Sequence, residues 1–196
     1  DGIGDAELLV EGALIARGTE DAPIVFTSAA EQPKASDWKY LYLDFAREAE
    51  LDYVISEYAY SGLQVHFCRA RVTNSIFRYN VDGLRFSTVS LYAAGNRIYG
   101  NRHGLRYEER GSEARLHHND IRDNEIGIFA VTRSDDKARI EQNNITNNSQ
   151  YNVKLGWQQP GDVTLPNNWW GMSDPVAIQK TFFDRQFDGS LGAVSA

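Results

Sequence analysis

Residues 95–107 read GNRIYGNRHGLRY, a Gly-Asn step, a short apolar run, a second Gly-Asn step, then a glycine and an alternating pair. Glycine and asparagine mark corners, and the stretch between Asn96 and Asn101 has room for one very short strand. The segment is therefore scaffold: a corner, a strand and another corner.

The same outline recurs along the chain. Asn-x-apolar steps stand at Asn74-Ser75-Ile76, Asn96-Arg97-Ile98, Asn119-Asp120-Ile121 and Asn143-Asn144-Ile145, with degenerate copies at Asp52-Tyr53-Val54 and Asn167-Asn168-Trp169. From 52 to 167 the successive spacings are 22, 22, 23, 24 and 24 residues. A second track runs Asn80, Asn101, Asn124, Asn148, and a third Gly62, Gly83, Gly104, Gly127, with Asn152 in the next copy. After each member of the third track come alternating pairs: Leu63 and Val65, Leu84 and Phe86, Leu105 and Tyr107, Ile128 and Ala130, Val153 and Leu155.

Three tracks in one register, each broken into two-period segments, predict a parallel β-helix with three strands and three corners per coil. Coils about 4.8 Å apart stack equivalent side chains into columns. The corner asparagines are expected to adopt left-handed geometry and bond to their counterparts above and below, and the glycines to supply positive φ. Leu63, Val65, Ala70, Val72 and Ile76 are expected to point inward. A leucine-rich repeat shares the period, but it needs leucines three and five positions before the asparagine and a helical stripe after it, and neither is present.

The 196 residues carry a formal charge of −7, which disfavours general attraction to nucleic acid or an anionic membrane. No apolar run approaches the roughly 20 residues of a transmembrane helix. One cysteine, Cys68, precludes an intrachain disulfide and reads as an inert buried thiol. Asp1 is neither an initiator nor part of a leader, so the chain is expected to be a processed protein or a fragment of a longer one. A single domain is expected, with an opening coil and loop over 1–36, repeat coils over 37–168 and a cap over 169–196. In that cap Asp174-Pro175 starts a short helix, and Ile178, Phe182 and Phe183 plug the last coil.

VEGALIARGTEDAPIVFTS (10–28), DWKYLYLDFAREAELDYVISEYAYSG (37–62), the Asn-x-Ile coils and NNWWGMSDP (167–175) together resemble right-handed parallel β-helix repeat proteins of the pectate-lyase-like superfamily. The similarity is closest to its secreted, uncharacterised and NosD-type bacterial members. The resemblance implies export to the periplasm, cell surface or medium and frequent contact with polysaccharide. It does not imply an activity.

A lyase of that superfamily would gather carboxylates around calcium beside a basic residue. The candidates are Glu108 and Glu109, with Arg110, and the Asp135, Asp136, Lys137 trio, where the coil lengthens into a bulge. Calcium is the one cofactor the sequence leaves open. The polygalacturonase-like Gly-His-Gly step is matched only at His103-Gly104, without aspartates in register. His117 and His118, as strand neighbours, are expected to face opposite ways and share no metal.

Outward positions give the stronger signal. One row is expected to hold Gln64, Arg85, Arg106, Phe129 and Lys154, a second Glu50, Arg71, Tyr92, Arg115 and Arg139, and a third Ile55, Phe77, Tyr99 and Arg122. Such rows suit an extended polymer, aromatics stacking on sugar rings and arginines pairing with acidic groups. The sequence thus points to a non-catalytic module binding polysaccharide or an envelope protein through Arg71, Phe77, Arg85, Tyr92, Tyr99, Arg106, Arg115 and Arg139. The alternatives are a polysaccharide lyase or glycoside hydrolase, and a structural spacer stacked on a neighbouring domain or subunit, with Phe77 and Tyr99 in the interface.

Overall fold

The computed structural model describes residues 2–109, 113–132, 138–157 and 159–196. The chain winds through three parallel sheets in turn. The first contains Leu8–Val10, Trp38–Asp44, Ala59–His66, Asp82–Ser87, His103–Glu109, Ile126–Thr132, Tyr151–Leu155 and Phe182–Phe183. The second contains Ala13–Arg17, Glu48–Asp52, Arg69–Thr73, Ser90–Ala94, Glu113–His117 and Arg139–Ile140. The third contains Ile24–Phe26, Val54–Glu57, Ile76–Arg78, Arg97–Tyr99, Asp120–Arg122 and Asn144–Thr146. The residues 8–28 form a complete opening coil whose strands pair with the coil after it.

The core is a set of columns. Leu43, Val65, Phe86, Tyr107, Ala130 and Leu155 stand in register on the first sheet. Ala16, Leu51, Val72, Ala93, Leu116 and Ile140 do so on the second. All twelve are buried. Each fully buried leucine, isoleucine or phenylalanine contributes roughly 1.5–3 kcal/mol by leaving water. Cys68 is buried at the corner after the first sheet, and burial pushes its thiol up to about 11, so it is protonated at neutral pH.

Two asparagine ladders run through the corners. Asn96, Asn119, Asn143 and Asn168 are joined by Nδ2–H to Oδ1 bonds of 2.9, 2.9 and 3.0 Å. Asn80, Asn101, Asn124 and Asn148 are joined by bonds of 3.1, 3.0 and 3.1 Å. Each Oδ1 also accepts from the backbone N–H of the coil before it, so corner donors inside the stack are satisfied without water.

Two expectations about these corners need correction. The left-handed residue is the one just before the ladder asparagine: Gly95, His118, Gln142 and Asn167 on one corner, Tyr79, Gly100, Asp123 and Asn147 on the other. Asn74 holds such a place at φ 49, and Ser75 holds the ladder place instead, its N–H bonding Asn96 Oδ1. The track glycines Gly62, Gly83, Gly104 and Gly127 are not at positive φ. They are required by close approach: a Cβ on Gly83 would lie 2.7 Å from the Gly104 carbonyl oxygen, and one on Gly104 the same distance from that of Gly127. The missing Cβ faces the ladder inside the stack, and the side chain of the residue before Gly83, Asp82, lies outside it beside Arg85 and Arg106.

The Ser75 displacement overturns the expected third-sheet row. Phe77 pairs with Ser56 and Ile98 and is fully buried, in an inward column with Ile121 and Ile145. Ile76 faces out. One residue of slip exchanges the two faces of a strand, and the 21-residue step from Ser75 to Asn96 supplies that slip. Phe77 is therefore core, neither a ligand contact nor part of an interface.

The last coil closes as expected. Asp174 caps the helix Pro175–Gln179 by accepting from the Val176 N–H at 3.1 Å. Phe182 pairs with Val153 as the last strand of the first sheet and meets Trp170 edge-on, with ring centroids 4.8 Å apart. No helix among the described residues is long and apolar enough to cross a membrane.

Candidate functional site

On the second sheet, Ile15, Glu50, Arg71, Tyr92, Arg115 and Arg139 stand in one register, as the alternation predicts. From Glu50 onward this outward row lines an open groove of about 700 Å³. Arg69, Arg71, Arg115 and Arg139 bring four positive charges to its wall, against Glu48, Glu50 and Glu113. Glu50 is already engaged: the Arg17 guanidinium donates to it and holds its carboxyl below the usual glutamate range. The Arg71 guanidinium lies 4.4 Å from the centroid of the Tyr92 ring. Among the described residues, Arg71, Arg115 and Arg139 form no ion pair. Among the described residues the groove thus carries arginines that no ion pair ties down.

His117 borders it, meeting Tyr92 edge-on at 5.1 Å between ring centroids. Its Nδ1 lies 2.7 Å from Nδ1 of His118. The expectation that these two rings diverge is wrong, because His118 is the left-handed corner residue (φ 55) and strand alternation has ended there. Burial first, then the neighbouring His118 and Arg115, holds His117 below the ordinary histidine value. Among the described residues no three His, Cys, Asp or Glu side chains converge as a metal site would require.

The outward face of the first sheet is built differently. Gln64, Arg85, Arg106, Phe129 and Lys154 share one register, as expected. Beside them runs a row the sequence reading missed: Ser61, Asp82, His103, Ile126 and Tyr151, each the residue next to a track glycine or its equivalent. Asp82 is fully buried beneath its neighbours. Its carboxylate meets His103 Nδ1 at 2.7 Å, accepts from Arg106 at 3.4 Å and lies 3.9 Å from Arg85. Glu108 closes the ring from the other side, 3.6 Å from Arg85 and 3.9 Å from Arg106. Two guanidiniums thus sit between the same two carboxylates. Tyr42 and His66 extend the face, sharing a 2.9 Å hydrogen bond, and burial followed by the Arg85 charge keeps His66 low. A reading of the residue just before each track glycine would have found Asp82 and His103.

The third-sheet candidate Tyr99 stands in register with Arg78 and Arg122, its hydroxyl 3.2 Å from Arg78. It belongs to neither face described above. Of the acidic candidates, Glu108 lies in the arginine ring, whereas the Glu109 side chain and Asp135, Asp136 and Lys137 fall outside the described residues.

A family model described as a right-handed β-helix region matches residues 39–169. The chain belongs to the right-handed β-helix family. For this β-helix protein, no curated protein and no solved structure gives a match. The family sets the hand of the winding, and the site must be argued from its own side chains.

Proposed function

We propose that this β-helix chain is a non-catalytic binding module that holds an extended acidic polysaccharide along the groove of its second sheet. One observation carries the reading: Arg71, Arg115 and Arg139 line one open groove, and among the described residues none of the three is held in an ion pair, although Glu48 and Glu113 share the wall. Arg71 and Arg115 are two coils apart, about 10 Å at the spacing of paired strands, and Arg139 follows one coil later, so a chain laid along the axis meets a series of cations. Guanidinium forks suit carboxylates and sulfates. The reading places the protein where such polymers occur, in the periplasm, at the cell surface or in the medium.

Affinity electrophoresis in gels containing alginate tests it. The wild-type chain is expected to be retarded, and the Arg71→Ala/Arg115→Ala/Arg139→Ala triple variant to migrate freely. Equal mobility of both removes the reading.

A carbohydrate-active enzyme is the second reading. It is favoured by the Asp82–His103 pair, in which a buried carboxylate orients an imidazole whose Nε2 makes no hydrogen bond among the described residues. Release of reducing ends or unsaturated products from alginate, abolished by His103→Ala, would support it. Absence of any product from the wild type counts against it.

A further inference from the structure

Among the described residues from Phe45 onward, the corners between strands are repeatedly built on a residue in the left-handed region. At two of the corners, asparagine, aspartate or glycine takes many of these places. At the corner joining the first sheet to the second, the occupants are Phe45 (φ 51), Phe67 (φ 49) and then Thr88 (φ 52). A bulky side chain there costs roughly 1–2 kcal/mol of backbone strain. Phe45 and Phe67 are also 65% and 51% exposed, so they recover little by burial. Strain and exposed apolar surface fall on the same two residues, and Thr88 in the next coil shows that the corner does not need phenylalanine.

What the two rings gain is each other. They stack in consecutive coils with centroids 4.7 Å apart and planes 13° from parallel. Phe67 also meets the edge of His66, with centroids 6.3 Å apart, and at another corner Tyr79 stacks on Tyr58 and is braced both by the edge of Tyr99 and by Arg78. Phe67 lines a shallow depression together with Arg47, Arg69, Thr88 and Ser90. Arg69 and Ser90 also line the arginine groove, so the depression and the groove are one continuous surface.

We propose that Phe45 and Phe67 form a ring-stacking subsite at the edge of that groove, taking the apolar face of a pyranose whose polymer carries its acidic groups to Arg71, Arg115 and Arg139. The inference rests on the groove reading above and narrows its ligand to acidic polymers made of sugar rings. A flat ring with C–H bonds on its face matches a flat aromatic platform, and stacking the two phenylalanines in advance lowers the cost of ordering them on binding.

Two probes separate the contributions: alginate, which has acidic groups on pyranose rings, and poly-glutamate, which has carboxylates and no ring. The variant is Phe45→Asn/Phe67→Asn, since asparagine tolerates the left-handed region. Alginate affinity is expected to fall about tenfold, poly-glutamate affinity to stay unchanged, and the thermal midpoint not to fall, because strain is relieved. Phe67→Tyr, which keeps a ring, is expected to retain alginate binding. Unchanged alginate affinity in the asparagine variant overturns the subsite, and so does an equal loss toward both probes or a lowered midpoint accompanying the loss. If alginate binding depends on the arginines and is indifferent to the phenylalanines, only the subsite falls. If the wild-type chain binds neither probe, the groove reading falls with it.

Discussion

The outward faces of the first and second sheets carry arginines at equivalent steps of the same winding, and the two rows behave as opposites. Arg85 and Arg106 lie between Asp82 and Glu108, so the first face neutralises itself. Arg71, Arg115 and Arg139 on the second face line an open groove and, among the described residues, form no ion pair with the glutamates that share it. The difference comes from the neighbouring columns. Asp82 stands one residue before a track glycine and lies outward beneath the arginines, and the second sheet has no track glycine. A repeated backbone therefore offers rows of sites, and the residues flanking each row decide whether it is spent on cohesion or left for a ligand.

The largest expected effect tests the cohesive face. Asp82→Ala removes a fully buried carboxylate and strands His103 and two arginines, which should cost about 3 kcal/mol or more in urea unfolding. Arg115→Ala should move the same measurement by no more than about 0.5 kcal/mol. If the two variants unfold alike, the contrast between the faces is broken.

The next effect runs the other way. Arg115→Ala/Arg139→Ala is expected to weaken alginate binding about tenfold in a calorimetric titration, roughly 1.4 kcal/mol, with the deficit shrinking as salt rises. Arg85→Ala/Arg106→Ala should change affinity less than about twofold while lowering stability. A reversed order would move the binding site to the first sheet.

The smallest effect is in the pH profile. His117 is held below its ordinary value of 6.5. As pH falls through 6.5 the unfolded chain takes up a proton that the folded chain resists, so folded stability declines on acidification and is complete above that pH. His117→Asn should lose this component, seen as a flatter dependence of the thermal midpoint between about pH 7.5 and 5. Parallel profiles for the variant and the wild type would show that the histidine pair at the groove's edge carries no charge-linked strain.

Much of the fold was legible because the repeat writes it several times over. The glycine track, the asparagines from Asn80 onward and the inward pairs from Leu63 to Leu155 stand in the register that periodicity gives them, and the helix after Asp174 and the burial of Phe182 follow the local signals of the cap. Legibility failed where the count slipped by one. Asn74 has the right residue type in the wrong corner place, and with it Phe77 moved from surface to core. His118 escaped for a related reason, since alternation cannot be carried past a strand's last residue into a left-handed corner. Of the proposed groove, Arg71, Tyr92, Arg115 and Arg139 were readable as one row, but nothing in the sequence said that its arginines stand outside the ion pairs of the described residues.

By itself the sequence determined the winding, the coil length and the columns, because a period of 21 to 25 residues admits few ways to bury its apolar positions together. Only the tertiary structure decided which arginines are paired, that Asp82 is sealed while still facing outward, and that Phe45 lies flat on Phe67. Those facts depend on what stands one coil above and below each residue. Packing across coils, at distances of a few ångströms, sets charge and exposure there, and order along the chain does not.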